Sequence, residues 1–211
     1  MKRFMLMMAI FMMISGFSFV AGGNPIQQYE HPKTALLVLD MQEDFLDEKG
    51  KAPINKEQIP GVIAVVNNLI DEFEKSGQLI VYVKSEFPRF ALGNRIRRHA
   101  AMEGSLGANI YSKIRVSGTA VFSKKDTDAF SNKEFEKYLV DHQVNRLVVT
   151  GVYADQCVLE TTLEALKRNY QVKFVRNGVG DRSEKEVNKA CEKVQEKGAE
   201  IIDYKPNTRI K

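Results

Sequence analysis

The sequence predicts an α/β protein: a three-layer, doubly wound parallel sheet of six strands with helices on both faces. Short apolar segments rich in β-branched residues alternate along the chain with longer segments that have helical periodicity. The first apolar segment, residues 34–39, has no polar residue after its threonine, as expected of a strand buried on both faces. The chain has 211 residues, 44% of them hydrophobic, which is enough for the core of one such domain.

Six segments have the pattern of β-strands, each a short apolar run bounded by polar or turn residues. They are residues 34–39, 79–83, 119–123, 145–150, 172–175 and 199–202. Residues 41–53 indicate a polar loop, and residues 86–118 indicate an irregular loop or short-helix cover, a kind of segment that is usually functional or mobile. Right-handed crossovers between successive strands make the predicted sheet parallel and Rossmann-like.

Four helices are predicted between these strands. Residues 59–73 form an amphipathic helix that ends at Ser76 and Gly77. Two capping boxes predict where later helices begin, at Ser131 with Glu134 and at Ser183 with Glu186. The remaining helix follows a turn at residues 152–156, so Cys157 is predicted to lie in its first turn.

Residues 1–22 have the three-part pattern of a secretory signal peptide. A basic tip with Lys2 and Arg3 precedes an apolar run over residues 4–20, and Gly22 is small enough for the processing site. Cleavage there would leave residues 23–211 as an exported domain, either periplasmic or secreted. An uncleaved membrane anchor is the alternative, because the apolar run is near the lower limit for spanning a bilayer.

Composition argues against several classes of protein. The formal net charge is +4, which falls to +2 without Lys2 and Arg3, so nothing favours a nucleic-acid partner. The two cysteines, Cys157 and Cys191, do not make a disulfide framework, and Cys191 lies on an apolar helical stripe that predicts core packing. The sequence has neither a glycine-rich phosphate fingerprint nor a P-loop, and no cofactor is expected.

Three reactive residues follow predicted strands: Asp40 after the first, Lys124 after the third, and Cys157 after the turn that ends the fourth. In a doubly wound sheet, sites lie at the carboxyl ends of the strands, where the strand order reverses. If the order is 3-2-1-4-5-6, Asp40 and Cys157 face the same crevice. Each residue alone is explained by a turn, a solvated surface or a packed core. Together they strengthen the case for a nucleophile at Cys157, whose thiolate a helix N-terminus would favour.

Three motifs surround these residues in a fixed order. They are LDMQEDFL at residues 39–46, KKDTDAF at residues 124–130, and GVYADQCV at residues 151–158 followed by Thr161, Thr162 and Ala165. They resemble the D-x-Q-x-D-F, K-x-x-x-S-A-F and G-x-x-T-D-x-C-V motifs of the isochorismatase-like cysteine hydrolases, which include nicotinamidases and N-carbamoylsarcosine amidohydrolases. Asp128 and Ala154 depart from the serine and threonine that are usual in the family.

The resemblance implies a catalytic triad of Asp40, Lys124 and Cys157, in which the lysine ammonium would stabilise the thiolate, with Lys125 as the alternative lysine. It also implies that the reaction passes through a thioester and cleaves the C–N bond of a small amide or ureide, because isochorismatase proper lacks the cysteine. The backbone N–H groups of Tyr153 and Cys157 would hold the oxyanion, with a cis peptide bond between Val152 and Tyr153. Such donors typically contribute on the order of 10²–10³ in turnover.

The resemblance also suggests what surrounds the substrate. Phe45 matches an aromatic pocket wall of the family and Tyr153 would stand opposite it, although either could be plain core. Family members are often dimers or tetramers, so a homo-oligomer is expected.

A metal site is not expected. Nicotinamidases of this superfamily carry a D-x-H motif after the second strand, where residues 84–88 here are KSEFP. The three histidines, His31, His99 and His142, are scattered along the chain and do not have the spacing of metal ligands.

Two questions remain open in the sequence. A basic group in the irregular segment, made of Arg89, Arg95, Arg97 and Arg98, could bind a substrate carboxylate or form a solvated face or subunit contact. A non-catalytic small-molecule-binding protein that keeps the hydrolase fold is the alternative to an enzyme.

Overall fold

A single six-stranded sheet organises the computed structural model, which describes residues 29–90 and 92–206. The strands are β1 (Lys33–Leu39), β2 (Leu79–Ser85), β3 (Val121–Lys124), β4 (Val144–Val152), β5 (Gln171–Gly180) and β6 (Glu200–Ile202). Their order is β3-β2-β1-β4-β5-β6, and every neighbouring pair is parallel. This confirms the predicted fold class, and the order is the one under which Asp40 and Cys157 were expected to face the same crevice, with β1 beside β4 at the reversal.

Helices cover both faces of the sheet. They are α1 (Glu43–Leu46), α2 (Ile59–Lys75), α3 (Lys133–Asp141), α4 (Leu159–Lys167) and α5 (Glu184–Glu196). Successive residues of β1 point into different cores: Leu36 and Val38 pack with α2, whereas Leu37 and Leu39 pack with α3, α4 and α5. The period-2 alternation of a strand that is apolar on both faces therefore produces the three layers.

Some predicted element boundaries and caps are wrong, because contacts between elements determine the local structure at those positions. The loop predicted at residues 41–53 contains the short helix α1, and β5 continues to Gly180, beyond the predicted end at residue 175. The cap of α3 is Asn132 rather than Ser131, and its side chain accepts hydrogen bonds from the Glu134 and Phe135 N–H groups. Ser131 instead ends a preceding 3₁₀ turn, where its hydroxyl donates to the Asp128 carbonyl.

Other local predictions are confirmed. Ser183 does precede α5, although its hydroxyl contacts the Glu186 carboxylate instead of a backbone N–H group. Cys191 is buried in the core between the sheet and α5.

The predicted signal peptide, residues 1–22, lies outside the described residues. In the part of the chain that is described, no helix has both the length and the apolar character needed to cross a membrane.

Candidate active site

The turn after β4 brings Cys157 to the carboxyl edge of the sheet. Gly151 has a φ of +127°, and a Cβ there would lie 2.0 Å from the Leu39 carbonyl oxygen, so the close approach of β4 to β1 requires glycine. The Val152–Tyr153 peptide bond is cis, as predicted. Cys157 then lies in a π-helical turn, Ala154–Val158, immediately before α4 rather than within its first turn.

The three predicted side chains meet at this edge. The Lys124 ammonium lies 2.9 Å from Asp40 Oδ2 and 3.2 Å from Cys157 Sγ, and all three residues are buried. Lys125 is exposed, so Lys124 is the lysine that the fold directs inward. The prediction that Asp40 and Cys157 share one crevice is met because β1 and β4 are neighbours.

Ser85, at the end of β2, belongs to the same cluster. Its hydroxyl accepts from the Lys124 ammonium at 2.7 Å and donates to Asp40 Oδ1 at 3.1 Å. The Asp126 carbonyl also accepts from Lys124, at 3.1 Å. Sequence reasoning missed Ser85, although its position at the end of the strand next to β1 was the signal that could have found it.

Gln42, the glutamine of the first motif, fixes the strand ends around the cluster. Its amide nitrogen donates to the Ser85 and Ala108 carbonyls at 2.8 Å each, and its amide oxygen accepts from the Ser85 N–H at 2.8 Å. Asp40 itself has a left-handed backbone, with φ of +52°, a conformation that aspartate tolerates better than most residues. Gln42 thus joins β1, β2 and the 106–108 turn, which holds the carboxylate and hydroxyl in position.

Charge and burial oppose each other within the cluster. Burial alone would lower the pKa of Lys124, but its interactions with Asp40 and Cys157, the larger of them with the Asp40 carboxylate, outweigh burial and raise that pKa, so the lysine is an ammonium. Burial and the Asp40 carboxylate together raise the pKa of Cys157 to about 12, against the lowering effect of Lys124. The predicted resting thiolate is therefore wrong: desolvation and a like charge outweigh the lysine, and the sulfur keeps its proton.

The backbone N–H groups of Tyr153 and Cys157, the predicted oxyanion donors, belong to the turn after β4. The Tyr153 N–H makes no hydrogen bond to another group in the described part of the chain. The Tyr153 carbonyl accepts hydrogen bonds from the Gln156 and Val158 N–H groups but not from the Cys157 N–H group. The Asp155 N–H, within the same turn, donates to Asp181 Oδ2 at 2.8 Å, which ties the turn to the end of β5.

A cavity of about 330 Å³ opens beside these groups. Asp40, Ser85 and Cys157 line one side of it. Phe45 and Tyr153, the predicted substrate contacts, both line the cavity and meet edge to face, with ring centroids 5.6 Å apart. The Tyr153 hydroxyl donates to the Ala52 carbonyl, which orients the ring. The volume and a wall that includes the rings of Phe45, Phe87 and Tyr153 suit a small organic molecule.

The arginines of the irregular segment divide into two groups. Arg97 and Arg98 line the cavity, whereas Arg89 and Arg95 do not. Arg89 instead donates to the Glu103 carbonyl at 3.3 Å. Arg182, which sequence reasoning missed, also lines the cavity.

The residues after β2 do not fit a metal ion. The Lys84 ammonium lies 2.9 Å from Glu86 Oε1, and the Ser123 hydroxyl donates to the other oxygen of the same carboxylate. The only carboxylate in the segment of residues 84–88 is therefore already paired with an ammonium. Within residues 29–90 and 92–206, no group of three or more histidine, cysteine or acidic side chains could hold a metal ion.

Comparison with known proteins agrees with this architecture. The isochorismatase domain family model matches residues 34–205. A probable inactive nicotinamidase of Arabidopsis thaliana is 27% identical over 150 residues, covering 65% of this chain and 74% of the relative. The nicotinamidase of Escherichia coli is 24% identical over 179 residues, covering 70% and 83%. The crystal structure of the pyrazinamidase of Pyrococcus horikoshii in complex with zinc superposes with a TM-score of 0.73 at 28% identity, covering 82% of this chain and all of that one. Because the family match spans nearly the whole described chain, this protein belongs to the isochorismatase family of hydrolases.

Proposed function

We propose that this protein is a metal-free cysteine hydrolase that cleaves the C–N bond of a small amide or ureide, with Asp40, Lys124 and Cys157 as its catalytic residues. The observation that carries the proposal is the position of one buried ammonium, 2.9 Å from a carboxylate oxygen and 3.2 Å from a sulfur, beside a cavity of about 330 Å³. The amide substrates named for the E. coli and P. horikoshii relatives support the class of reaction. The Lys84–Glu86 pair supports a reaction without a metal at the position after β2.

Acylation begins with the neutral thiol. Asp40 accepts the thiol proton as Cys157 Sγ attacks the substrate carbonyl carbon, and the Lys124 ammonium stabilises the negative charge that passes from the carboxylate to the sulfur. The oxyanion that forms accepts hydrogen bonds from the Tyr153 and Cys157 N–H groups. A carboxylate that takes the proton only during attack agrees with the raised pKa of the thiol.

The proton then moves to the leaving group. Protonated Asp40 donates it to the departing nitrogen, which releases ammonia or an amine and leaves a thioester on Cys157. A water molecule, deprotonated by Asp40, attacks the thioester carbonyl, and the thiol is restored as the acid leaves. The sum is substrate plus water giving acid plus ammonia or amine, with each protein group returned to its starting state.

A non-catalytic small-molecule-binding protein is the second candidate. The name of the A. thaliana relative, a probable inactive nicotinamidase, favours it, because it shows that this family is thought to include proteins without activity. The two candidates differ in one product: only an enzyme acylates Cys157 during turnover.

Ammonia release tests the proposal. Purified protein is incubated with a panel of primary amides and ureides, and Cys157→Ala is compared with Cys191→Ala, a matched loss of the other thiol. We expect release that Cys157→Ala abolishes and Cys191→Ala retains, together with an acyl adduct on Cys157 in quenched samples by mass spectrometry. Near-wild-type turnover by Cys157→Ala would refute the mechanism, and ligand binding without any adduct would favour the second candidate.

We also propose that residues 1–22 direct export to the periplasm or medium and that the mature chain is a homodimer or homotetramer. The sequence of the leader and the resemblance to the family support these two proposals. N-terminal sequencing of the protein recovered from each cell fraction tests the first, with a start near residue 23 as the expected result. Light scattering of the purified chain tests the second.

A further inference from the structure

The mouth of the cavity carries excess positive charge. Its charged lining residues are Asp40, Arg97, Arg98 and Arg182. The Asp40 carboxylate is neutralised by Lys124, and the Arg182 guanidinium lies 3.0 Å from both oxygens of the Asp155 carboxylate. Neither of the two other arginines forms an ion pair with a carboxylate of residues 29–90 or 92–206. Two cationic side chains at the entrance thus remain available to a ligand.

The arginines lie in and beside a turn at residues 98–101 that is held by hydrogen bonds. Arg98 and His99 both have left-handed backbones, with φ of +56° and +58°, and Ala101 has φ of +49°. The buried carboxylate of Asp44 accepts the Ala101 N–H at 2.9 Å, and the Lys51 ammonium donates to the His99 carbonyl at 3.0 Å. Residues other than glycine rarely adopt this conformation, and such backbones persist where surrounding contacts hold them, often at ligand sites.

The two arginines differ in their surroundings. The Arg97 guanidinium stacks on the Phe87 ring, 4.1 Å from its centroid, so its planar face is occupied while its N–H edges are free to donate. Burial raises the pKa of the Tyr153 phenol, and the positive charges of Arg182 and, to a smaller extent, Arg98 oppose that effect. Arg98 therefore acts electrostatically on the aromatic wall of the cavity.

We propose that Arg98, assisted by Arg97, binds an anionic group of the substrate, so that the amide cleaved at Cys157 carries a carboxylate elsewhere in a small molecule. This inference rests on the proposed function and specifies its substrate class. A guanidinium binds a carboxylate through paired charge-assisted hydrogen bonds, and unpaired cations at the mouth of a cleft concentrate anions there. A neutral aromatic amide would leave both arginines without a partner.

Steady-state kinetics with a charged and an uncharged substrate test the proposal. Succinamic acid is compared with its methyl ester, which keeps the amide and loses the negative charge. We expect a preference for the acid in the wild-type protein. Arg98→Gln should reduce kcat/KM for the acid by about tenfold to a hundredfold, chiefly through KM, since a hydrogen bond to a charged group contributes on that scale. Arg95→Gln, a matched loss of charge on the same segment but outside the cavity, should retain the wild-type preference.

A binding measurement separates this inference from the proposed function. Succinate, which has no amide to cleave, is titrated calorimetrically into the wild-type, Arg98→Gln and Arg95→Gln proteins. Succinate binding that is lost in Arg98→Gln but kept in Arg95→Gln would support the anion subsite, whether or not any amide is hydrolysed. A complete absence of amide hydrolysis would overturn the hydrolase and not the subsite. Equal turnover of acid and ester, or equal losses in Arg98→Gln and Arg95→Gln, would overturn the subsite and leave the hydrolase standing.

Discussion

Replacing Asp40 by asparagine should make Cys157 more reactive toward alkylating agents while it abolishes turnover. The carboxylate is one of the two causes that raise the pKa of the Cys157 thiol to about 12, the larger being burial. Asparagine keeps the shape of the side chain and removes the negative charge. Loss of a general base would ordinarily be expected to make a nucleophile less reactive, so the direction of this effect is diagnostic.

The distances set the size of the change. Lys124 Nζ lies 2.9 Å from Asp40 Oδ2 and 3.2 Å from Cys157 Sγ, so oxygen and sulfur are at most about 6 Å apart. Two like charges at that separation repel by about 3 kcal/mol at an effective dielectric constant of about 20. That energy corresponds to about two pKa units, or up to about a hundredfold more thiolate near neutral pH.

Peptide-resolved alkylation by iodoacetamide between pH 7 and 9 measures the effect. Cys191 serves as an internal reference, because burial raises its pKa to about 11 and it lies in α5, away from the cluster. Lys124→Met should change the rate at Cys157 in the opposite direction, since it removes the positive charge nearest the sulfur. Thermal unfolding of both variants shows whether the cluster remains folded.

The reasoning would be refuted if Asp40→Asn alkylated at Cys157 no faster than wild type while unfolding at a similar temperature. In that case the charge of the carboxylate would not be what keeps the thiol protonated.

Further predictions concern the turn, the core and pH. Asp181→Asn should reduce kcat about tenfold with little change in KM. The two oxygens of the carboxylate accept the Arg182 and Asp155 N–H groups at 2.7 and 2.8 Å, and an amide has only one oxygen to accept them. Asp155→Asn keeps its own backbone N–H donor and should have a smaller effect on kcat. Gly151→Ala should lower the free energy of unfolding by about 3 kcal/mol or more, measured by urea titration, because its Cβ would lie 2.0 Å from a carbonyl oxygen of β1. Cys191→Ala should lose roughly 1 kcal/mol of stability and retain activity. Burial raises the pKa of the Cys157 thiol from 9.0 to about 12. The stability that this shift contributes is therefore fully present below pH 9 and is lost as the pH rises toward 12. The free energy of unfolding of Cys157→Ala, measured by urea titration, should change less with pH over that range than that of the wild-type protein.

The sequence was sufficient for the features that depend on local pattern. The apolar run of β1 indicated a strand buried on both faces, and the reversal of strand order followed from one assumed topology, which brought Asp40 and Cys157 together. Lys124 was distinguished from Lys125 by its spacing to Phe130 in a family motif. That spacing agrees with the structure because alternate residues of an extended strand point in opposite directions.

Features that depend on register between strands were not accessible in the same way. Ser85 joins the cluster because the end of β2 lies level with the end of β1, and Arg182 reaches the cavity only because β5 continues to Gly180. The ionisation of Cys157 was predicted wrongly because the lysine and the helix N-terminus could be seen in the sequence, whereas the extent of burial could not.

The raised pKa of Cys157 would also matter for the survival of the thiol in an oxidising compartment, the destination proposed above for this chain. Oxidants and disulfides attack the thiolate rather than the thiol, and burial together with the Asp40 carboxylate raises the pKa of Cys157, which disfavours the thiolate. The Cys157 residue is also only 8% exposed. In the oxidising compartment that residues 1–22 predict, the nucleophile would therefore resist conversion to sulfenic acid without a partner cysteine to shield it.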